Sequence, residues 1–595
     1  MRGAGHKNGI KRRPNGQFQQ VVSYQTLRGF KVLLDPRTSS NSTMVNSASP
    51  KRCAIIGAGV SGLPSARWAK AYGYEPVVFE LRNNVGGLWY YQNENTEFSC
   101  VMKKTIMNTS KEMSAYSDFP PPLDFPWFMT NQRMHQYLQL YAKHHDILKN
   151  VRFNHRVTRV ERTPDFEETG EWAVEYQDAN KNKSSEVFQA VLICTGRQSV
   201  PFMPPEYPGQ KNFKGKIIHS KDYKDANIFE NKKVLIVGLG NSGTDAASEV
   251  GQIAKSCFLS TRRGAWIHHR TIYGKPNDIY CNRRILEYVK KVFGRDFHAG
   301  LMERAFRSCF DHKIYGLNPE HKSYNQDPIL ICDELQLRLA AGQVVLKPEI
   351  HSFTENSVKF ADGTVEEIED VVMATGFSYN FDYLENGKII PTKDDDLRLW
   401  KNMFPLSLME SKKGTTLAMV GMLQLSGAIM PAMEMQARVF FEVNAGHVKL
   451  PTTNAMHAEI MRDQEQRRRQ YMGARANYTK VCFIDYMREM GQLIGCYADP
   501  FRLVFTDPKL AYRLLFHPDL PYSYRLQGPF AWPKAREMIF SVYERMDCGL
   551  IKKDTRAVQK VQSRDKGYLT MSVVSLTLSS AIFFYLLNSL LTVMV

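Results

Sequence analysis

Three glycines near the start of the chain have the spacing of a nucleotide-phosphate site. The apolar run 52–56 leads directly into Gly57-Ala-Gly59-Val-Ser-Gly62, and a helical pattern over 63–72 follows. In such a turn the first glycine permits the sharp bend, the second lets a pyrophosphate approach the backbone, and the third lets the helix pack closely on the strand. The positive end of the helix dipole then faces the phosphates. This segment predicts a dinucleotide cradle.

An acidic residue follows at the expected distance. Glu80 ends the next predicted strand, 75–80, and stands 18 residues after Gly62. A carboxylate at this place can accept hydrogen bonds from a ribose diol. Glycine-rich turns are also common in ordinary loops, but the order of strand, glycines, helix, strand and acid favours the cofactor interpretation.

A second copy of the pattern lies near the middle of the chain. The apolar run 233–237 enters Gly238-Leu-Gly240-Asn-Ser-Gly243, and a helical pattern continues to Val250. We expect the first turn of this helix, with Asn241 and Ser242, to face a second dinucleotide.

The strand after the second copy ends in hydroxyls and cations instead of an acid. Ser260, Thr261, Arg262 and Arg263 stand 17 to 20 residues after Gly243. At this offset a cation and hydroxyls would hold a 2′-phosphate, so the sequence favours NADPH over NADH. Either arginine alone would be interpreted as a solvated loop residue.

Two cradles in one chain, the first with an acid and the second with cations, indicate one dinucleotide held as a prosthetic group and another used as reductant. FAD and NADPH fit these roles. The apolar runs on either side of the second copy end in Thr195-Gly196 and Thr375-Gly376. A strand-end Thr-Gly can be a simple turn, but this pair predicts two crossings between an FAD domain and an inserted NADPH domain.

A motif between the cradles carries a family resemblance. Phe213, Gly215, His219 and Tyr223 fit F-x-G-x-x-x-H-x-x-x-Y. Together with both glycine patterns, this motif resembles the flavin-containing monooxygenases, and the hydrophobic tail is typical of the animal microsomal, dimethylaniline N-oxide-forming type. The resemblance covers about residue 51 to the end. Baeyer-Villiger enzymes usually have Trp at the position of Tyr223, and thioredoxin-reductase-like proteins need a CxxC that is absent here.

The resemblance implies a reaction carried by the cofactors. NADPH would reduce FAD, O2 would add to give a C4a-hydroperoxyflavin, and a soft nitrogen or sulfur of a small lipophilic substrate would take the distal oxygen. The alternatives from the same chemistry are Baeyer-Villiger oxygenation of carbonyls and an uncoupled NADPH oxidase that releases hydrogen peroxide. A catalytically idle, membrane-tethered cofactor-binding scaffold is the alternative from another class.

The resemblance also assigns site residues. Asn108 matches the active-site asparagine of the family, although by itself Asn108-Thr-Ser110 would be a helix cap before Lys111. The four motif residues could shape the linker without touching substrate. The expected cofactor-binding residues are Gly57, Gly59, Ser61, Gly62, Glu80, Gly87, Leu88, Trp89, Gly238, Gly240, Asn241, Ser242, Gly243, Ser260, Thr261, Arg262, Thr375, Gly376 and Gln424.

Composition excludes several other classes. At 595 residues and 43% apolar content the chain can bury a large core. Of the net charge of +18, residues 1–52 supply +9, from ten Lys and Arg against Asp35, so no basic stripe supports nucleic-acid binding. No two of the ten cysteines form a CxxC, which argues against a disulfide scaffold or a metal site and favours reduced thiols on the cytosolic side.

The end of the chain predicts a membrane anchor. Residues 567–595 contain no charge over 29 positions, and six Lys and Arg with two Asp stand in 552–566. A charge-free stretch of this length can cross a bilayer, and the preceding cations favour a catalytic body on the cytosolic side. The resemblance to the microsomal members implies that this membrane is the endoplasmic reticulum. Membrane lipid is thus an expected partner, and the sequence leaves a homo-oligomer open.

The expected fold is α/β, with two Rossmann-like dinucleotide-binding domains and a C-terminal transmembrane helix. The expected order along the chain is a disordered leader 1–50, an FAD domain 51–207 that resumes at 345–450, an inserted NADPH domain 208–344, a helical region 451–566 and the membrane helix or anchor 567–595.

Overall fold

The computed structural model describes residues 50–93, 98–198, 200–326, 330–392, 396–471 and 479–550. The expected leader, apart from Pro50, and the expected membrane helix 567–595 lie outside these residues. No helix in the described ranges is long and apolar enough to cross a bilayer.

A parallel sheet forms the core of the first module. All its strands except the half-buried edge strand Val151–Phe153 are almost wholly buried, which explains why they are continuous apolar runs in the sequence. In spatial order they are Leu417–Met419, Ala190–Ile193, Arg52–Ile56, Glu75–Glu80 and Val151–Phe153. An antiparallel three-stranded sheet accompanies them, made of Arg156–Arg162, Trp172–Gln177 and Lys183–Phe188.

The second module repeats this plan. The order of its parallel strands is Val345–Lys347, Ser256–Ser260, Lys233–Val237, Asp370–Met373 and Lys216–His219. Its antiparallel sheet consists of Ile350–Phe353, Ser357–Phe360 and Val365–Glu367. The second module therefore continues to residue 373, beyond position 344 where the sequence interpretation ended the NADPH domain. Strand 370–373 pairs with 233–237, more than 130 residues earlier in the chain. The boundary at 344 was therefore set too early, because a pairing over this distance is not visible in the sequence.

The two crossings between the modules lie side by side. Val200–Pro201, on the way into the second module, pairs antiparallel with Phe377–Ser378, on the way out. The Phe202 N–H donates to the Gly376 carbonyl at 2.9 Å, and the Thr375 hydroxyl donates to the Phe202 carbonyl at 2.5 Å. Thr375-Gly376 therefore belongs to a paired segment, here called the hinge ribbon, which follows Thr195-Gly196 along the chain and connects the two modules.

Helices cover the sheets and form the C-terminal region. Helix Ile429–Asn444 is almost fully buried and packs on helix Gly62–Ala71. The other α-helices of the described residues are Asn131–His144, Phe166–Thr169, Asn241–Val250, Asp278–Cys281, Arg284–Phe293, Arg295–Cys309, Leu335–Ala340, Thr453–Gln470, Phe483–Leu493, Pro500–Leu503, Pro508–Phe516 and Ala535–Cys548. The remaining short strands pair as Ile267–His268 with Leu330–Ile331, Thr271–Ile272 with Lys275–Pro276, Leu399–Trp400 with Phe404–Pro405, and Gln424–Ser426 with Lys480–Cys482.

Buried ion pairs join the C-terminal helices to the rest of the protein. Arg284, at the start of its helix, donates to Asp519 at 2.9 Å, and the side chains of both residues are at most 2% exposed. Tyr524 donates to the second oxygen of Asp519 at 2.7 Å. Removing one partner of such a pair leaves an uncompensated charge in the interior.

We expect Arg284→Met to lower the free energy of unfolding by about 3–5 kcal/mol, because the Asp519 carboxylate would stay buried without its cation. Arg502→Met is the matched control. Arg502 lies 3.9 Å from Asp499 but its side chain is 91% exposed, so its removal should leave stability almost unchanged. The urea midpoint followed by tryptophan fluorescence measures both, and equal midpoints for the two variants would contradict the assignment.

Candidate active site

The first cradle depends on close backbone packing. Gly57 has a φ of +105°, and a Cβ at this position would lie 2.6 Å from the Cys194 carbonyl oxygen. A Cβ on Gly62 would overlap the Gly57 carbonyl. Larger residues at either position would push the loop away from the strand end, so both glycines are required by the fold itself.

Glu80 holds this loop from the neighbouring strand. Its carboxylate accepts from the Ala58 N–H at 2.7 Å and from the Arg82 N–H at 2.9 Å. Burial raises the pKa of Glu80, while the two backbone hydrogen bonds oppose that shift. Because each carboxylate oxygen has a second lone pair, Glu80 keeps capacity to accept from a ribose.

Arg82, which the sequence analysis missed, fixes the second wall of the cradle. Its guanidinium donates to the carbonyls of Gly87 and Tyr90, at 3.1 and 3.0 Å. Gly87 opens the short 3-10 turn Gly87–Trp89, which also contains Leu88, and all three residues are half-buried. A Cβ on Gly59 would lie 3.4 Å from Gly87 Cα, so two glycine backbones face each other across the cradle.

Ser61 contributes differently from the expectation. It is buried, and its hydroxyl donates to the Met433 sulfur at 3.1 Å. The hydroxyl is thus directed at helix Ile429–Asn444 instead of toward the cradle.

The second cradle has the same close backbone contacts at its first and third glycines, but the space beside its second glycine is open. Gly238 has a φ of +111°, and its Cβ would lie 2.6 Å from the Ala374 carbonyl oxygen. A Cβ on Gly243 would overlap the Gly238 carbonyl. At Gly240, by contrast, no atom lies within 4 Å of a built Cβ, and half-buried Asn241 and Ser242 begin the helix there. An open space at a helix N-terminus suits a pyrophosphate.

The predicted phosphate ligands at the end of the next strand differ in their burial and in their hydrogen-bond partners. Ser260 is buried and its hydroxyl donates to the Pro348 carbonyl at 2.7 Å, and the Thr261 hydroxyl donates to the Arg263 carbonyl at 2.8 Å. The Arg262 side chain is 75% exposed, with Glu349 at 4.0 Å. Of the three predicted side chains, Arg262 is therefore the one that extends toward solvent, where it can pair with a phosphate.

Asn108, in a loop of the first module, lies against the second cradle. Its amide Nδ2 is 3.5 Å from Oδ1 of Asn241, in the first turn of the second cradle's helix. Its Oδ1 accepts from Arg270 at 2.8 Å. Residues 111–114 form turns, so no helix begins at Lys111 and the cap interpretation has no helix to support it.

The four residues of the linker motif form structural contacts. The His219 Nδ1 accepts from the Lys221 N–H at 3.0 Å, so Nε2 carries the proton and donates to the Gly376 carbonyl at 2.9 Å. Burial lowers the pKa of His219. Tyr223 is fully buried and donates to Glu249 at 3.0 Å. A Cβ on Gly215 would lie 2.5 Å from the Phe213 ring. This motif shapes the inside of the second module and its hinge.

The remaining expected ligands lie at the crossings. Thr375 and Gly376 belong to the hinge ribbon described above. Gln424 is the first residue of strand Gln424–Ser426. Its amide oxygen accepts a hydrogen bond at 2.9 Å from Arg197, which stands two residues after Thr195 in the chain. The Gln424 side chain is thereby tied to the first crossing.

One cluster elsewhere joins potential metal ligands that the sequence does not bring together. Glu287, Cys482 and Asp485 offer ligand atoms within 4.8 Å of one another. The ammonium of Lys290 already donates to Glu287 at 2.7 Å and supplies the positive charge there. We assign no metal to this cluster.

Two parallel sheets, each with a glycine cradle and one inserted into the other, define an oxidoreductase that holds two dinucleotides. The flavin-binding monooxygenase-like family model matches residues 50–588. Human flavin-containing monooxygenase 5 is 39% identical over 90% of this chain and 98% of its own length. The mouse dimethylaniline monooxygenase [N-oxide-forming] 2 is 37% identical over 90% of this chain and 99% of its own. The chain belongs to the flavin-containing monooxygenase family.

Solved structures share the fold. The garlic (Allium sativum) S-allyl-L-cysteine S-oxygenase aligns with a TM-score of 0.58 at 21% identity, over 82% of this chain and 99% of its own. Cyclohexanone monooxygenase from Rhodococcus sp. Phi1 aligns with a TM-score of 0.55 at 15% identity, over 75% and 98%. As a member of its family this chain is a flavin-dependent monooxygenase with FAD and NADPH as cofactors, acting on O2 and a small molecule. The glycine cradles fit these two cofactors.

We expect Gly59→Val and Gly240→Val to separate the two cradles. A side chain on Gly59 would fill the narrow space opposite Gly87, so this variant should be colourless. Gly240→Val has room for its side chain without disturbing the fold, and should stay yellow while losing reduction by NADPH. Each variant is the control for the other. Flavin absorbance and anaerobic NADPH titration measure the outcome, and a yellow Gly59→Val protein would refute the assignment of the first cradle.

Proposed function

We propose that this protein is an NADPH- and O2-dependent monooxygenase that oxygenates soft nitrogen or sulfur atoms of small lipophilic substrates. The observation that carries the proposal is the Asn108 amide, which a loop of the first module holds against the second cradle, hydrogen-bonded to Arg270 on one side and 3.5 Å from Asn241 on the other. FAD bound at the first cradle would supply the chemistry, in which NADPH provides two electrons, one atom of O2 passes to the substrate and the other leaves as water.

In this proposal the protein orients groups and excludes water. With its oxygen bound to Arg270 and one N–H directed at Asn241, Asn108 keeps a second Nδ2 donor for a reacting group. A donor that is already held in place stabilises a polar reacting group without the reorganisation that water would need. The second cradle, with Asn241 and Gly240, holds the reductant against this amide.

The proposed preference for NADPH depends on Arg262. A guanidinium at the end of the second strand forms charge-assisted, bidentate bonds with a 2′-phosphate. Only NADPH carries that group.

We also propose that residues 567–595 anchor the protein in the endoplasmic reticulum membrane, with the catalytic body on the cytosolic face. Support comes from the charge-free length of this stretch and the Lys and Arg that precede it.

Product analysis tests the proposed activity. The purified yellow protein is given NADPH with a thioether, a tertiary amine and a ketone in turn, and sulfoxide, N-oxide, ester and hydrogen peroxide are quantified per NADPH consumed. Sulfoxide and N-oxide are the expected products. Esters from the ketone would indicate Baeyer-Villiger oxygenation, peroxide alone an oxidase, and no NADPH consumption an idle scaffold.

Replacing Asn108 with Leu, similar in size but without hydrogen bonds, should leave flavin content and reduction at saturating NADPH intact because the glycines of both cradles are unchanged. Product should fall and peroxide should replace it, since a buried polar partner would lose about 1–3 kcal/mol of stabilisation. The ratio of peroxide to oxygenated product measures the change. An unchanged ratio would remove Asn108 from the catalytic machinery.

Arg262→Ala should raise the KM for NADPH roughly ten- to a hundred-fold, because a charge-assisted bond of about 1.5–3 kcal/mol is lost, and should leave the KM for NADH nearly unchanged. Ser260→Ala is the matched control, since the Ser260 hydroxyl is bound to the Pro348 carbonyl. Equal losses with both coenzymes would move the phosphate contact away from Arg262.

A further inference from the structure

A segment of the second module reaches across to the Asn108 loop of the first. Residues 267–281 contain the short strand Ile267–His268, a hairpin, and the helical turn Asp278–Cys281. Two charged residues of this segment, Arg270 and Asp278, contact the loop on either side of Asn108.

Arg270 binds the loop before and at Asn108. Its Nε donates to the Met107 carbonyl at 3.1 Å, and its Nη2 donates to the Ile106 carbonyl at 3.2 Å and to Asn108 Oδ1 at 2.8 Å. Nη1 pairs with Asp333 at 2.6 Å, and the Arg270 side chain is 12% exposed. A planar guanidinium has enough donors in a fixed arrangement for all four acceptors, and a lysine does not.

Asp278 binds the loop after Asn108. It is 3% exposed, and its Oδ2 accepts from the Ser110 N–H at 2.6 Å. The two contact points are also joined to each other, because the Asn277 N–H donates to the Arg270 carbonyl at 2.8 Å.

These contacts select one orientation of the Asn108 amide. With a guanidinium at 2.8 Å only the amide oxygen can occupy that side, since the reversed amide would set two donors against each other. The Nδ2 group is then directed to Asn241 and the space between the cradles.

We propose that Arg270 and Asp278 are positioning residues which together fix the Asn108 loop and its amide orientation against the second cradle. This inference rests on the proposed function for its catalytic consequence. Its structural content, a coupling between Asn108 and Arg270, is independent of which substrate is oxygenated.

The test uses the FAD-loaded full-length protein and four variants. Arg270→Lys keeps the positive charge and loses the planar arrangement of guanidinium donors. Asp278→Ala removes the oxygen that accepts from the Ser110 N–H, whereas Asp278→Asn keeps an oxygen there. Arg283→Lys is the matched control for Arg270→Lys. Arg283 lies just after the segment, and its Nε donates to the Ile279 carbonyl at 2.8 Å.

We expect Arg270→Lys and Asp278→Ala to raise peroxide per NADPH about ten-fold, as for a lost charged hydrogen bond. Asp278→Asn should restore coupling to within about two-fold of wild type, since its amide oxygen still accepts, and Arg283→Lys should match wild type. A rise in peroxide per NADPH as large in Asp278→Asn as in Asp278→Ala would overturn the positioning role of Asp278.

A double-mutant cycle separates positioning from general structural damage. The dissociation constant of NADP+ is measured by its perturbation of the flavin spectrum in wild type, Arg270→Lys, Asn108→Leu and the double variant. If Arg270 acts through Asn108, its substitution weakens NADP+ binding several-fold in wild type and adds almost nothing in Asn108→Leu. If the fold-changes in the NADP+ dissociation constant of the two single variants multiply in the double variant, the proposal is overturned.

Because it measures NADP+ affinity and not product, the cycle also separates the proposed function from the positioning role of Arg270. If wild type yields only peroxide with every substrate probe, the proposed function fails, and the cycle in NADP+ affinity still decides whether Arg270 positions Asn108. If wild type forms oxygenated product and the cycle is additive, the proposed function stands and the positioning role is refuted.

Discussion

Both cradles of this protein depend on one packing constraint, which occurs twice. The first glycine of each fingerprint, Gly57 or Gly238, lies so close to a neighbouring strand end that a Cβ would stand 2.6 Å from a carbonyl oxygen. Those carbonyls belong to Cys194 and Ala374, the residues just before the two Thr-Gly crossings. The phosphate cradles and the connections between the modules are thus built on the same backbone contacts, and a change in one would displace the other.

The two modules are also joined by their connections. The crossings pair with each other through Val200–Pro201 and Phe377–Ser378. The Asn108 loop of the first module then meets Asn241 in the second cradle, with the Asn108 amide nitrogen 3.5 Å from the Asn241 side-chain oxygen. The proposed function needs no catalytic triad at this contact, as expected where the cofactor carries the chemistry.

The helical region adds a different kind of support. Its charged side chains are paired in the interior, as in Arg284 with Asp519 and Arg525 with Asp118, at 2.8 and 2.9 Å. Such pairs add little net stability over apolar packing, but a misplaced partner is costly. They favour one docking position of the C-terminal helices on the first module, next to helix Gly62–Ala71, whose Arg67 also binds Asp118.

The sequence by itself determined both cradles, since glycine spacing, flanking strands and helix form one local unit in which backbone geometry dictates residue type. It also marked both crossings. Tertiary structure decided the rest: strand 370–373 belongs to the second module through pairing with 233–237, His219 and Tyr223 serve structure, and Arg82, Arg270 and Asp278 fix the site. These contacts join residues from about 5 to more than 160 positions apart, and no local pattern records them, because side-chain hydrogen bonds across a fold leave no periodic signal in the chain.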